Sequence, residues 1–369
     1  MSRKNGADGE ISRVELAFCG LVPRLKRSMG ARLKKRPRLA LTVGDVAGIG
    51  PEVTRSVLGE ERLLKTADLM VFGPAAACPE GVEVHAGSWR DCPEGAAQWV
   101  DTGDPGEFSL GRASAGCGRA ALAALEAAHE AALAGAVDAL VTGPVSKTAL
   151  HLAGEPVEGQ TELFQRWCGL ERVQMVALAG PLRVGLVTRH LALRDAIEAL
   201  NGPLVMAHLE LLASFLGTLG LGKPRIGLAG LNPHAGEGGR FGHEELDFLN
   251  DAVVWARGQG VDVRGPLSPD AVFRDALEGR LDGVLALYHD QAFIPLKLIG
   301  GERAVTALAG MPYLRLSPVH GTAFDIAGRG LASHENLLET LLLAADWAGP
   351  QAGGATPAAG ASEMSAAGR

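Results

Sequence analysis

Short apolar runs alternate with segments of helical periodicity along most of this chain, and this alternation constrains its fold more than any other feature. Apolar runs of roughly four to eight residues bounded by turn residues are typical of buried strands. Seven such runs are Leu39 to Val43, Asp68 to Phe72, Val137 to Thr142, Val173 to Leu178, Val184 to Thr188, Arg225 to Leu231 and Gly283 to Tyr288. The clearest helical segments are Arg119 to Ala134, Pro203 to Leu216, Glu244 to Arg257 and Glu335 to Ala348. The alternation predicts an α/β protein with a mainly parallel sheet.

The composition is that of a soluble globular protein, and it limits the partners to be expected. With 369 residues, 47% of them hydrophobic, the chain can bury a large core in two domains or in one large bilobal one. Residues 1–38 carry 11 Lys/Arg against 3 Asp/Glu, so the remainder carries 24 against 39, a net charge of −15. This acidic body argues against a nucleic-acid partner. No apolar run approaches the roughly 20 residues of a membrane span. The five scattered cysteines are typical of free thiols in a reducing compartment, so we expect a cytoplasmic protein. Because there is no membrane span, we expect no membrane partner.

The two ends of the chain differ in composition from the rest. The basic residues 1–38 are interpreted as a disordered leader, or as a start assigned too early with Met29 as the true initiator. A nucleic-acid or membrane arm and a transit peptide are weaker alternatives. Residues 349–369 are rich in Ala, Gly, Ser and Pro and predict a flexible tail. One bilobal body is therefore expected over residues 39–348.

The segment Asn232 to Gly239 (Asn-Pro-His-Ala-Gly-Glu-Gly-Gly) is the most informative for function. It follows the apolar run that ends at Leu231 and precedes a helical pattern from His243 onward. A histidine, a carboxylate and three glycines are costly to order unless the loop binds a ligand. Open α/β sheets bind their ligands at the carboxyl ends of strands. The loop therefore indicates a site without specifying which kind.

Three histidines, His190, His234 and His289, lie at the ends of apolar runs. Three imidazoles at strand ends are candidates for a divalent-metal site with positions left open for substrate. Taken singly, each is more readily explained as a capping or core histidine. Zinc, cobalt, nickel and manganese suit nitrogen ligands, and magnesium is a further candidate. Asp290, beside His289, is a candidate general base or hydrogen-bond partner of the ligand.

Cations and glycine-rich turns supply further candidates. Lys297 and Arg315 are each able to bind a phosphate or a carboxylate, although isolated cations are usually only solvated. The turns Gly44 to Glu52 and Thr142 to Lys147 follow strands, and a tight connection explains each as well as a ligand contact does. Nowhere does Gly-x-Gly-x-x-Gly follow a strand and open a helix, so a Rossmann dinucleotide fold has no support.

Together these segments resemble one family, the 4-hydroxythreonine-4-phosphate dehydrogenases of pyridoxal phosphate biosynthesis. The stretches that carry the resemblance occur in family order and span nearly everything from Leu39 to Ala348. They are Gly44 to Glu52, Thr142 to Lys147, Gly159 to Glu162, Thr188 to Asp195, Leu231 to Gly239, Tyr288 to Gln291, and His320 to Ala323 with Ala327-Gly328. The run Pro318 to Gly330 is also similar to the coenzyme loop of isopropylmalate dehydrogenases.

The resemblance implies a two-lobed isocitrate/isopropylmalate-dehydrogenase-like fold that binds NAD, or NADP, outside the Rossmann scheme. It also implies a homodimer with a shared active site, a small phosphorylated substrate, and metal-dependent oxidative decarboxylation of 4-phosphooxy-L-threonine to 3-amino-2-oxopropyl phosphate. The family's metal ligands match the three histidines, with His289 expected from the partner subunit. The remaining matches are Thr161, Lys297 and Arg315 for substrate, Asp290 and Lys297 for catalysis, and His320, Gly321, Thr322 and Ala323 for coenzyme.

Two substrate-binding positions depart from the family pattern. Gln160 stands where the family usually has His, and Thr306 stands where it usually has Asn. An amide donates hydrogen bonds but cannot carry a proton's charge. These departures raise the alternative of a paralogue that oxidises a 4-phospho-threonate or 4-phospho-erythronate. A catalytically dead binding relative and a metal hydrolase are the remaining alternatives.

Overall fold

The computed structural model describes residues 36–93 and 95–349, and within them it forms one twelve-stranded sheet flanked by helices. The strands of the first half of the chain are β1 (Arg38–Thr42), β2 (Asp68–Gly73), β3 (Val84–His85), β4 (Ala97–Asp101) and β5 (Ala139–Thr142). The others are β6 (Gln174–Ala179), β7 (Leu182–Leu186), β8 (Arg225–Ala229), β9 (Asp262–Leu267), β10 (Gly283–Ala286), β11 (Val305–Ala309) and β12 (Leu314–Pro318).

The helices connect these strands and cover the sheet. In chain order they are α1 (Gly50–Leu58), α2 (Glu61–Thr66), α3 (Ala115–Leu133), α4 (Lys147–Leu152), α5 (Gln160–Trp167), α6 (Leu193–Ala199), α7 (Gly202–Thr218), α8 (Asn250–Gly258), α9 (Val272–Leu277), α10 (His289–Gly300) and α11 (Glu335–Ala348). A π-helical segment, Glu245–Leu249, leads directly into α8. Pro51 lies in the first turn of α1, where a missing N–H costs nothing.

The strand order is β3-β4-β2-β1-β5-β12-β11-β6-β7-β10-β8-β9. β11 is antiparallel to both β12 and β6, and β6 is antiparallel to β7. The remaining pairings among the described residues are parallel. The two parallel halves therefore run in opposite directions, and β7, β10 and β8 send their carboxyl ends to the same edge.

The two faces of the sheet are covered differently. On one face a single core runs across both halves and includes Leu41, Val141 and Leu285 together with side chains of α7 and α11. On the other face two separate cores form, because successive residues of a strand point to opposite faces. One is built on Leu140 with α3 and α5, and the other on Val184 with α9 and α10. The central strands between these two cores carry the candidate site.

The predicted fold class, a mixed α/β protein with a mainly parallel sheet, is confirmed. All seven predicted strands form, and the last predicted helix has the bounds of α11. The pattern missed β3, β4, β9, β11 and β12. β11 is Ala-rich and closely followed by β12, whereas β9 contains Gly265 and Pro266, which disfavour strands.

The boundary of the predicted leader is displaced by a few residues. Arg36 pairs with Asp68 at 2.6 Å, and the Arg38 N–H donates to Asp138 at 2.9 Å, so both belong to the folded body. The rest of the predicted leader and nearly all of the predicted tail lie outside the described residues.

Among residues 36–93 and 95–349, no single helix is long and apolar enough to cross a membrane. Helices α6 and α7 together have the length and apolar composition of a membrane span, but the chain bends by 92° between them.

His208 makes stability depend on pH. This α7 residue is 5% exposed, and burial, followed by the charges of Arg172 and Arg189, lowers its pKa to about 4. Because the unfolded chain binds this proton below about pH 6.5 and the folded chain does not, acid favours unfolding between those two values. Relative to His208→Phe, the wild type should lose up to about 1.4 kcal/mol of unfolding free energy per pH unit over that window. Urea unfolding at pH 7 and pH 4.5 measures this; a constant difference between the two proteins would contradict it.

Candidate active site

A cavity of about 200 Å³ opens on the face of the sheet where the two separate cores leave the central strands uncovered. Met175 of β6, Thr306 of β11, and Arg315 and Ser317 of β12 form its floor. The other lining residues come from loops and helix starts on both sides. They include Thr142 to Val145, Lys147, Glu158 to Glu162, Arg189, His190, Pro318, His320 and Gly321.

Arg315 is the buried cation of this cavity. Its side chain is 3% exposed, and burial lowers its pKa to about 10, so the guanidinium is still charged at neutral pH. Its Nη2 donates to Thr142 Oγ1 at 2.5 Å and to Gln160 Oε1 at 2.9 Å. Among the described residues no carboxylate pairs with it, and its Nε has no hydrogen-bond partner. A buried guanidinium without a counter-ion strongly favours an anionic ligand.

Gln160 connects Arg315 to the turn that follows β5. Its Oε1 accepts from Arg315, and its Nε2 donates to the carbonyl oxygen of Gly143 at 3.0 Å. Both ends of the amide are thus used within the protein. An imidazole, which the family usually has here, would present a titratable group at this point instead.

The two threonines predicted to bind substrate both line the cavity and are almost fully buried. Thr161 lies in the first turn of α5. Thr306 shares a hydrogen bond of 2.9 Å with the hydroxyl of Ser317 on the neighbouring strand. An asparagine at position 306 would extend farther across the floor, so threonine leaves additional room there.

His190 and His289 lie side by side, with ring centroids 5.6 Å apart. Partial burial, then the charges of Lys147 and His289, lowers the pKa of His190, which keeps its imidazole neutral at pH 7. Asp290 Oδ1 is 2.7 Å from His289 Nδ1, which leaves Nε2 available as a ligand. This carboxylate–histidine arrangement is common at metal sites. The resemblance implied that His289 comes from the partner subunit, but here a single chain brings the two rings together.

His234 is not brought into a three-residue ligand group. No set of three His, Cys, Asp or Glu residues with metal-binding geometry occurs within the described parts of the chain. His234 lies exposed in the loop after β8, with its ring centroid 6.4 Å from that of Phe241. Because β7, β10 and β8 are parallel neighbours, all three histidines follow strand ends at one edge of the sheet.

The loop that carries His234 has an unusual backbone. Five consecutive residues, His234 to Gly238, have positive φ, between 42° and 77°. Three of them are not glycine, and each such residue costs about 1–2 kcal/mol in this conformation. Strain of this kind is typical of sites that the surrounding structure holds in place.

An ion pair joins the two sides of the cavity. Arg189, next to His190, contacts Glu162 of α5 at 3.0 Å, and both side chains are about three-quarters buried. This pair, together with Lys147, Thr142 and Ser317, was not assigned to the site from the sequence. Thr142, Lys147, Glu162 and Arg189 lie within the stretches that carried the resemblance, which was their only signal, and Ser317 had none. The Arg189–Glu162 pairing depends on how the two halves of the sheet meet.

A second cavity of about 540 Å³ lies beside the turn Gly44 to Glu52. Gly328 and Gly330 line it, whereas His320 and Gly321 at the start of the same segment line the first cavity. Ile49 N–H donates to the carbonyl oxygen of Thr322 at 3.0 Å, and a Cβ on Gly48 would lie 2.7 Å from that oxygen. The segment 320–330 therefore borders both cavities and packs on the first glycine-rich turn.

Within one chain, Lys297 does not lie at the cavity, where its predicted role in substrate binding and catalysis would place it. It is exposed on α10 and does not line the first cavity. Asp290 is also exposed, and its contact with His289 is the one described above. Thr322 and Ala323 lie beyond the cavity wall, and Ala323 has a φ of 41°.

The fold and the site define an α/β enzyme whose cavity contains a buried guanidinium and is lined by imidazoles, and comparison with known proteins identifies its family. The family model of the pyridoxal phosphate biosynthetic protein PdxA matches residues 54–344. The chain belongs to the PdxA family and is a dehydrogenase.

Individual relatives cover nearly the whole described body. The chain is 38% identical over 315 residues to D-threonate 4-phosphate dehydrogenase of Bordetella bronchiseptica, covering 82% of this chain and 90% of the relative. It is 37% identical over 335 residues to 4-hydroxythreonine-4-phosphate dehydrogenase of Geobacter metallireducens, covering 87% and 99%. The crystal structure of the 4-hydroxythreonine-4-phosphate dehydrogenase from Klebsiella pneumoniae superposes with a TM-score of 0.79 at 37% identity, covering 86% and 99%.

Replacing Arg315 tests the anion-binding assignment. Arg315→Lys keeps a positive charge but loses the planar fork that contacts Thr142 and Gln160. Losing a charged hydrogen bond of this kind costs about 1.5–3 kcal/mol, so the affinity for inorganic phosphate should fall roughly 10- to 100-fold. The phosphate dependence of thermal stability measures this affinity. Arg166→Lys, at a half-exposed pair with Glu155, is the matched control. Equal phosphate affinity in the Arg315 variant and the wild type would refute the assignment.

Proposed function

We propose that this enzyme oxidises the secondary alcohol of a four-carbon acid phosphorylated at its fourth carbon, with NAD as hydride acceptor and with loss of carbon dioxide. Its first candidate substrate is 4-phosphooxy-L-threonine, which would yield 3-amino-2-oxopropyl phosphate for pyridoxal 5'-phosphate (vitamin B6) synthesis in the cytoplasm. The observation that carries the proposal is a cavity with the imidazole of His190 on its wall and the buried guanidinium of Arg315 on its floor. Such a cavity suits an anion with an alcohol beside it.

We infer that the imidazoles of His190 and His289 are two ligands of a divalent cation. His190 and His289 are adjacent, and the hydrogen bond that His289 Nδ1–H donates to Asp290 orients the imidazole ring. We infer that His234 completes the set; zinc, cobalt, nickel, manganese and magnesium are all candidates. A cation held there would supply the Lewis acidity that lowers the pKa of the alcohol and favours the release of carbon dioxide.

The chain's own groups would hold the substrate and move its proton. Arg315, Thr161 and Gln160 would bind the phosphate or carboxylate, and the contact of Gln160 with Gly143 keeps the guanidinium in place. Asp290, or a water that it orients, would take the hydroxyl proton while hydride passes from the carbon to the coenzyme. The oxidised product is a β-keto acid, whose carboxylate then leaves as carbon dioxide.

The coenzyme would occupy the second cavity and extend toward the first. The segment from His320 to Gly330 borders both, so a dinucleotide lying along it would have one end beside the substrate. Glu52 is a contact candidate, because its Oε1 is buried without a partner while its Oε2 accepts from Gly330 N–H at 3.2 Å. NADP is the alternative coenzyme.

A homodimer with shared sites is supported by exposed apolar side chains around the histidines. Leu191 and Leu193 follow His190, while Ile294 and Leu298 lie on the helix that begins at His289. Leu298 is 83% exposed. Apolar surface of this kind next to a candidate site favours a protein partner. Lys297, on the same helix, would then reach the cavity of the partner subunit.

A 4-phospho-threonate or 4-phospho-erythronate is the second candidate substrate. The observation that favours it is that both departures from the family pattern, Gln160 and Thr306, lie at the cavity. Such a sugar acid carries a hydroxyl where 4-phosphooxy-L-threonine carries an ammonium group. Relatives with either activity in their names match at similar identity.

Turnover with the two substrates tests the proposal. Purified protein with NAD and a divalent cation should form NADH from at least one of 4-phosphooxy-L-threonine and D-threonate 4-phosphate. Turnover of the amino acid alone assigns the enzyme to vitamin B6 synthesis. Turnover of the sugar acid alone assigns it to the second candidate and makes Gln160→His the variant with which to shift the preference. Absence of NADH formation from both, with NAD still stabilising the protein, would support a binding relative instead.

Mixed dimers test the sharing of sites. Lys297→Ala and Arg315→Ala chains, each inactive alone, should form a mixed dimer in which one site combines Arg315 of one chain with Lys297 of the partner subunit. Co-expression with two different affinity tags isolates this species, and its turnover should approach half that of the wild type. A mixed dimer as inactive as its parents would show that both residues serve the same chain's site.

A further inference from the structure

A buried carboxylate, Glu245, lies directly under the loop that presents His234. The side chain is 3% exposed, and no cation pairs with it among residues 36–93 and 95–349. Its Oε1 accepts from the backbone N–H groups of Leu231 and Asn232, both at 2.8 Å. Its Oε2 accepts from Asn232 Nδ2 at 2.9 Å. All three donors belong to the start of the same loop.

The loop is also packed closely onto this carboxylate. A Cβ on Gly236, whose φ is +77°, would lie 2.7 Å from Glu245 Oε2, and a Cβ on Gly230 would lie 3.2 Å from Oε1. The two glycines flank His234 in sequence, so the backbone on both sides of the histidine approaches the carboxylate. Only glycine permits that approach together with the left-handed backbone at position 236.

The helix that carries Glu245 departs from α-helical geometry at this residue. The π-helical segment Glu245–Leu249 begins with it, and the N–H groups of Leu246 and Asp247 both donate to the carbonyl oxygen of His243 at 2.8 Å. A π-helical turn inserts a residue into a helix and is frequently found at functional sites. Here it directs a charged side chain inward at the start of a helix whose next residues are exposed.

Gln291 connects the same loop to the strand end before His289. Its Nε2 donates to the carbonyl oxygen of Gly230 at 2.8 Å, and its Oε1 accepts from Leu287 N–H at 2.7 Å. The base of the His234 loop is thereby fixed relative to β10, from which His289 follows. A movement of the loop on Glu245 would change the position of His234 relative to His289.

We propose that Glu245 is a positioning residue for His234, which it holds in place by accepting the three hydrogen bonds that fix the strained loop. The inference rests on the proposed function, in which His234 is a ligand of the divalent cation. A carboxylate accepts through both oxygens, whereas a glutamine offers one acceptor and would direct its NH2 group at donors. Glu245→Gln therefore leaves the volume unchanged and breaks the acceptor pattern.

The experiment measures cation affinity in the full-length protein. Cobalt binding is followed by its visible spectrum and by calorimetry in the wild type, Glu245→Gln, His234→Ala and the double variant. We expect Glu245→Gln to weaken cobalt binding roughly 10- to 100-fold, the range found for residues that orient metal ligands. Asp247→Asn is the matched control, an exposed carboxylate two residues along the same segment, and it should change the affinity less than twofold.

The double variant separates positioning from general stability. If Glu245 acts through His234, adding Glu245→Gln to His234→Ala should weaken cobalt binding less than twofold further, although each single change weakens it strongly. An equal weakening in both backgrounds, or wild-type affinity in Glu245→Gln, would overturn the inference. Wild-type affinity in His234→Ala would instead refute the proposed ligand set.

A second variant covers the case in which Glu245→Gln does not fold. Asn232→Ala removes the Nδ2 donor, which contacts Glu245 at 2.9 Å and Glu244 at 2.7 Å, and leaves the buried carboxylate intact. It should weaken cobalt binding about threefold to tenfold in the wild type, in proportion to the lost hydrogen bond to Glu245 of about 1 kcal/mol, and not at all in His234→Ala. Unchanged affinity in Asn232→Ala, with circular dichroism showing a folded protein, would contradict the role of this hydrogen-bond set.

Discussion

The antiparallel pairing of β11 with β12 and β6 is the constraint on which the site depends. Together with the antiparallel pairing of β6 and β7, it joins two parallel halves that run in opposite directions, and each half has its own helices. On one face those helices form two separate cores and leave the central strands bare. Side chains that alternate onto that face, among them Thr306 and Arg315, therefore enter a cavity instead of a core.

The energetics of Arg315 follow from this placement. A guanidinium with 3% exposure loses most of its hydration, and two neutral acceptors, Thr142 and Gln160, only partly replace it. Its pKa falls but stays near 10, so the charge persists at neutral pH. The residue therefore reduces the stability of the empty protein, as polar groups at functional sites often do, which agrees with the proposed role of Arg315 in binding an anion. The Glu162–Arg189 pair, at the rim, is more exposed and contributes less to stability.

The sequence was sufficient for the fold class and for the list of candidate groups, and insufficient for their arrangement. The runs before His190, His234 and His289 are apolar enough to be recognised as strands, so their placement at strand ends followed from pattern alone. The 5.6 Å separation of His190 and His289 depends on the pairing of β7 with β10, which no local pattern encodes. Lys297 remains a prediction: the resemblance assigned it to substrate, and within one chain it lies exposed on α10. Glu245 carried no signal, since a glutamate at the start of a helix is ordinarily a solvated residue that favours the helix dipole.

The loop His234 to Gly238, which has a left-handed backbone, and the buried Glu245 lie outside the strands that stabilise the fold. Three non-glycine residues in the left-handed region oppose folding, yet the loop follows β8, a mostly buried strand that pairs with both β10 and β9. The strain is therefore confined to a segment that the body of the fold can hold without adapting to it. A hydrogen-bond acceptor under such a loop can hold the loop only if its own position is fixed. Glu245 is fixed by the π-helical turn that continues into α8. Backbone strain and a π-helical turn would each be unfavourable alone; around the buried Glu245 they agree with the proposal that His234 is held at a defined point.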